Sequence, residues 1–181
     1  MKSVNLAAGI AVAVVIVSGA ALAASECYAQ SSAEALKAQL IGSWRLVTYR
    51  AQREGEKEWR ETLGASPKGY AIFTREGRYM HLIVAGGRTP PANDAERAAL
   101  LNSMTAWSGR YDVVGKDEFH VAVDTSWSET HRGERQNQVR FVRIEGDRMT
   151  LLTPPQVGAR ATTRTDKPNR SVTEFVFERE K

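Results

Sequence analysis

Eight or nine short runs of alternating or β-rich residues, separated by polar connections that carry glycine, constrain this chain more than anything else in it. They begin at Trp44 and around Trp59, continue through Tyr70 to Thr74, Arg78 to Val84, Trp107 to Val114, Phe119 to Thr125, Asn137 to Ile144 and Met149 to Thr153, and end with Ser171 to Glu178. Arg75-Glu76-Gly77 has the length and glycine of a tight hairpin, and Gly115-Lys116-Asp117, Arg132-Gly133-Glu134 and Glu145-Gly146-Asp147 read as turns. No tandem repeat and no βαβ alternation interrupts the series. Such spacing is the pattern of an antiparallel barrel or sandwich. Closing the sheet removes its unpaired edges and leaves an interior that side chains fill or share with one small ligand. The expectation is an all-β chain, a single antiparallel up-and-down β-barrel of about 8–9 strands.

Two helices are expected beside the strands. Ser31-Ser32-Ala33-Glu34 has capping-box spacing, Leu36 and Leu40 share a helical face, and Gly42 is placed to end a short N-terminal helix. Trp44, Leu46 and Thr48 then face one way along the first strand, with Arg45, Val47 and Tyr49 on the other. Between Gly86-Gly87-Arg88-Thr89-Pro90-Pro91 and the fifth strand, Asn93 to Met104 carries helical grammar: Asn93 as cap, Asp94 and Glu96 in the first turn, and Ala98, Leu101 and Met104 as a narrow apolar stripe. This internal helix is expected either to lie as a lid across the barrel mouth opposite Trp44, or to pack on the outside.

Gly42-Ser43-Trp44, following a short helix and opening the first strand, resembles the Gly-x-Trp motif of the lipocalin superfamily. Gly69-Tyr70-Ala71-Ile72-Phe73-Thr74 with Gly77, Ser108-Gly109-Arg110-Tyr111, Gln138-Val139-Arg140-Phe141 and Gly146-Asp147-Arg148-Met149-Thr150-Leu151 widen the likeness to the bacterial lipocalin-like domain family, over residues 39 to 179. The resemblance implies that Trp44 closes the barrel base, with Arg179, on the face of Phe177, laid over its ring; Arg170 is an alternative partner.

Met1 and Lys2 precede an uncharged, Ala- and Val-rich run from Leu6 to Ala24 followed by small residues, which reads as a secretory signal peptide over residues 1–29, with the barrel domain in residues 30–181. Cleavage after Ala29 is preferred over cleavage after Ala23; uncleaved, the run is long enough to span a bilayer. An exported protein, periplasmic or secreted, with no membrane span after cleavage, is expected. Glu26 stands where a lipidation signal before Cys27 needs a small residue, and a lone cysteine excludes an intramolecular disulfide. Losing Lys2 and Glu26 leaves 24 bases and 20 acids from the 25 and 21 of the full chain, so the net charge stays at +4. Arg and Glu interleave, which argues for a solvated mixed-charge surface and against a nucleic-acid partner.

Chemistry-bearing residues are sparse. His81, His120 and His131 lie at no metal-ligand spacing, Ser43 and Ser108 begin strands and do not sit on a strand-to-helix elbow, and Gly86-Gly87 leads into Arg88 and two prolines where a phosphate loop would lead into a helix. No metal, cofactor or catalytic constellation is expected. Gln138 and Arg140 share a face with Val142 and Ile144, and an inward arginine there offers a bidentate site for a carboxylate or phenolate; with Val139 and Phe141 inside, both would be solvated. Tyr70, His81, Trp107, Tyr111, His120, Gln138 and Arg140 are accordingly the expected ligand-binding residues, and Gly42, Trp44 and Arg179 the structural closure. The expected partner is a small apolar or amphipathic molecule. Two rival readings are an isomerase, cyclase or hydratase of the same fold using His81, His120, Asp124 or Arg140, and a non-binding structural or stress-related envelope protein.

Overall fold

A computed structural model describes residues 30–129, 131, 136–157 and 170–181. The expected signal peptide with Cys27, the Arg132-Gly133-Glu134 turn and residues 158–169 of the last long connection lie outside the described residues. Helix α1 (residues 30–40) leads into β1 (Gly42–Arg53), β2 (Trp59–Glu61), β3 (Lys68–Phe73) and β4 (Arg78–Val84). Helix α2 (Asp94–Asn102) follows, then β5 (Met104–Val113), β6 (Glu118–Ser126), β7 (Asn137–Glu145), β8 (Arg148–Leu152), β9 (Gln156–Val157) and β10 (Arg170–Arg179).

Neighbouring strands run antiparallel in the order β1-β3-β4-β5-β6-β7-β8-β10, and β10 pairs back onto β1, so eight strands close a barrel. The two short strands are flanking pieces: β2 pairs with the second half of β1, and β9 with the start of β10. The ends of the barrel differ. Residues 74–77, 114–117 and 146–147 make short turns at one end, where β1 begins and β10 finishes. Every long connection, α2 included, leaves from the other end.

At the short-turn end the expected plug is present. Trp44 is fully buried and its indole Nε1 donates to the Leu40 carbonyl at 2.8 Å, so the strand caps the helix before it. Arg179 lies over the Trp44 ring at 4.1 Å and donates to the carbonyls of Gln39 and Ile41 at 2.6 and 3.0 Å. Those carbonyls sit at the C-terminal end of α1, which has no intrahelical donors left for them. A cation there is also favoured by the helix dipole. Gly42 has φ of +134°, a value side chains rarely adopt, and a Cβ at this position would sit 3.1 Å from Arg179 Nη1. Glycine thus lets the guanidinium reach past it. Gly42 ends the helix as expected, following Leu40 and the cap residue Ile41, and also opens the strand. Ser31, by contrast, lies inside α1, not at its cap.

Strand β1 changes face half-way. The pairing with β10 runs Leu46 to Phe177 and then Thr48 to Val176, leaving Val47 as a bulge. One extra residue inverts the alternation. Tyr49 therefore joins Trp44 and Leu46 on the inner face, stacked on Phe175 at 4.7 Å, in place of the expected Thr48. A second bulge at Asp124 separates the Gly109–Val123 pair from the Ser108–Thr125 pair. It turns Ser126, the partner of Trp107, toward the interior. A Cβ on Gly109 would come within 2.2 Å of the Ala122 carbonyl oxygen, so no side chain fits where the two strands pinch.

The barrel interior divides into two tiers. Near the short turns Phe73, Tyr79, Tyr111 and Phe119 interlock edge-to-face or tilted, with Phe73 at 4.7 to 5.3 Å from the other three. The tier toward the long connections holds the polar side chains described below. Helix α2 begins as expected: Asn93 accepts from Glu96 N at 2.9 Å, and the Glu96 carboxylate accepts in return from Ala92 N and Asn93 Nδ2. It ends earlier than expected, because Met104 opens β5. Helix α2 buries no residue, and Leu101 is 52 % exposed.

Candidate functional site

Four strands contribute to one polar cluster in the tier toward the long connections, which Tyr79 joins through its hydroxyl while its ring packs in the tier below. Strand β4 supplies Tyr79 and His81, and β5 supplies Thr105 and Trp107; β7 supplies Gln138 and Arg140, while the bulged half of β1 adds Tyr49. Each is inward by strand parity, and His81, Trp107, Gln138 and Arg140 are all buried.

Arg140 is the unusual member. It is 4 % exposed and sits 5.4 Å over the Trp107 ring. Its guanidinium donates to the Val139 carbonyl at 2.7 Å and to Gln138 Oε1 at 3.2 Å, which occupies two of five N–H donors. Among the described residues no carboxylate is within ion-pair distance of it. Burial pulls its pKa down, opposed by the Tyr79 and Tyr49 phenols facing it.

His81 packs on Trp107 at 4.4 Å, shares a hydrogen bond with the Tyr79 hydroxyl through Nδ1 at 3.0 Å, and approaches Thr105 Oγ1 through Nε2 at 3.5 Å. Burial holds its pKa well below the usual histidine value, and the charges of Arg140 and His131 lower it further. The imidazole is therefore neutral at neutral pH. Burial also pushes the Tyr79 phenol up, so it remains protonated. The cluster thus carries one firm positive charge, on Arg140, set among neutral donors, acceptors and rings.

His131 connects this interior to the surface. Its ring lies 5.4 Å from Trp107, Nδ1 shares a 3.0 Å hydrogen bond with Ser126 Oγ, and it lines a half-open cleft of about 240 Å³ with Val123, Thr125, Glu129 and Gln136.

Of the residues expected at a ligand site, His81, Trp107, Gln138 and Arg140 come together here. Tyr111 is buried but in the packed lower tier, its hydroxyl donating to the Thr74 carbonyl at 3.0 Å. Tyr70 does not line the interior: it is 45 % exposed, because Ala71 and Phe73 take the inner face of β3. His120 also lies outside, since β6 turns Phe119, Val121 and Val123 inward, and it pairs with Glu118 at 2.6 Å. Asp124 is on the outer surface, bonded to Arg78 and Ser108. Two of the four groups on which a catalytic reading would draw are thus on the exterior. Tyr49, Phe175 and His131 were not foreseen at the cluster. The Val47 bulge hid the first, and a face shared with Thr173 and Phe177 could have marked the second.

The profile of a lipocalin-like domain matches residues 41–179, from the residue before Gly42 to Arg179, the span that the barrel and its plug occupy. The chain belongs to the lipocalin-like domain family. A comparison with curated proteins finds no match. In this lipocalin-like domain the Trp44–Arg179 pair closes one end, and the Arg140 cluster lies in the tier toward the other. The fold as a whole fits small-molecule binding. Among the described residues no helix is long and apolar enough to cross a membrane, and no group of three His, Cys, Asp or Glu side chains gathers at metal-binding distance.

Proposed function

We propose that this lipocalin-like domain is an exported binding protein that takes a small, mainly apolar molecule into its barrel interior and releases it unchanged. One observation carries the reading: a buried, hydrogen-bonded polar pair, Gln138 and Arg140, is set into an aromatic wall in the tier nearer the long connections. Holding a guanidinium out of water costs several kcal/mol that an interior serving only to pack would avoid. Trp107, Tyr49 and Phe175 supply apolar surface around it, the combination of apolar lining and a few convergent polar groups that ligand sites use. Export rests on the apolar run from Leu6 to Ala24 and the small residues after it.

Native mass spectrometry of the protein purified from its own cells tests both parts. A small molecule leaving on mild activation, from a chain whose mass starts at Gln30 or Ala24, is the expected result. A chain that retains Met1 and fractionates with the cytoplasm would overturn export. A barrel that neither carries nor takes up any small molecule would overturn the binding reading.

A further inference from the structure

We propose that the ligand is a monocarboxylate, its carboxylate seated on the Arg140 guanidinium and its aromatic or aliphatic body lying among Trp107, Tyr49 and Phe175. The inference rests on the reading of the barrel as a binding site and adds the chemical class of what it binds.

Charge balance is the first argument. Arg140 is buried and cationic, and no described carboxylate is within ion-pair distance of it. Its neighbours do not neutralise it: His81 stays neutral through burial beside it, and the Tyr79 phenol keeps its proton. A buried charge without a partner is costly, and a ligand that brings one negative charge removes that cost. One cation calls for one anion. A dianionic phosphate would exchange an unpaired positive charge for an unpaired negative one.

Geometry is the second. Among the described residues only two of the guanidinium's donors are taken, by Val139 O and Gln138 Oε1, and both acceptors belong to β7 itself. The Gln138 contact fixes the plane of the fork, and the Trp107 ring covers it at 5.4 Å. A planar fork held in this way suits the two parallel bonds of a carboxylate. The surroundings are the third: past the guanidinium the described wall is the Tyr49–Phe175 stack, His81 and Trp107, which rewards an apolar body and, among the described residues, offers no second charge.

Matched pairs that differ only in charge provide the test. Octanoate and octanamide, 1-naphthoate and 1-naphthamide, and octyl phosphate are titrated into the full chain at neutral pH, read by calorimetry and by intrinsic tryptophan fluorescence. The same titrations are made on Arg140→Met. Each acid is expected to bind the unaltered protein at least about tenfold more tightly than its amide, and octanoate more tightly than octyl phosphate. In Arg140→Met the acid and amide should bind alike, in a protein that melts no lower than the original. Should that variant fail to fold, Arg140→Lys keeps the charge without the fork and is expected to shrink the acid-to-amide ratio at least about threefold. Equal binding of acid and amide to the unaltered protein would overturn the carboxylate anchor and leave apolar binding standing. Binding of neither would overturn both, and octyl phosphate binding more tightly than octanoate would replace the carboxylate by a phosphate. An acid preference that survives both substitutions would move the anchor away from Arg140.

Discussion

Arg140 and His81 touch the same indole and burial lowers the pKa of both, yet Arg140 stays charged while His81 is neutral. Guanidinium keeps its proton through a downward shift because it starts so high; imidazole starts near 6.5 and loses its proton. The His81 shift makes stability depend on pH. In the unfolded chain His81 protonates near its ordinary value, whereas in the barrel it resists protonation against Tyr79 and Thr105, beside Trp107, Arg140, His131 and Phe175. As pH falls through about 6.5 the unfolded state binds a proton that the folded state refuses, so stability is lost on the acid side. The loss should approach about 1.4 kcal/mol per pH unit until the folded pKa is reached. Urea melts from pH 8 to pH 5 should show that slope, reduced by about the same amount in His81→Gln. An unchanged slope in the variant would mean that His81 titrates normally in the fold. Residues of the cluster were only partly legible in the sequence. Along β7, Gln138, Arg140, Val142 and Ile144 alternate with Val139, Phe141 and Arg143, and both faces mix apolar with charged residues. Which face is inner depends on register with β6 and β8, and a strand's own composition does not carry register.

Among the elements, α1 and β1 form a unit that neither would form alone. Trp44 Nε1 and the Arg179 guanidinium supply hydrogen-bond donors to three consecutive carbonyls at the end of α1, and Leu36 and Leu40 lay that helix on the barrel floor. Trp44→Ala should cost about 3–5 kcal/mol, the range for deleting a large buried aromatic. Thermal and denaturant melts check it, and a loss under about 1 kcal/mol would show that the floor closes without the ring. The Gly-x-Trp stretch was readable because its residue types are rare and their roles specific. The inner face of β1 beyond Leu46 was not, because one bulged residue, Val47, inverts every later side chain and no residue type announces a bulge. Helix α2 shows the converse: its cap was legible to the residue, while its end was not, since Met104 suits a helix and a strand about equally.

For the molecule as a whole, the barrel's two ends should differ in motion as they do in construction. Strands of the lower tier are held by interlocked aromatic rings, whereas α2 buries nothing and hangs between β4 and β5. Few buried contacts mean a low free energy of local opening. Amides of α2 should therefore exchange with solvent far faster than those of β4 and β5, and should slow when 1-naphthoate is added if the helix screens the entrance. Mass-spectrometric exchange can read both, and protection equal to that of the strands would make α2 a fixed part of the wall. The up-and-down order of the strands was legible because turn residues punctuate it at short intervals. The division of the interior into a packed tier and a polar tier was not, because it depends on which neighbours each strand acquires after closure.

The pairing of β10 with β1 also has a meaning in time. Arg179 in β10 contacts Gln39, Ile41 and Trp44, so the first-made strand of the barrel waits for the last-made one. Until β10 has emerged, β1 and β8 are both bare edges, and the carbonyls ending α1 have only the Trp44 indole to meet them. A growing chain can thus assemble a curved sheet but no vessel. Synthesis from one end to the other delivers the lock as the last of the barrel's eight strands, and closure waits for it.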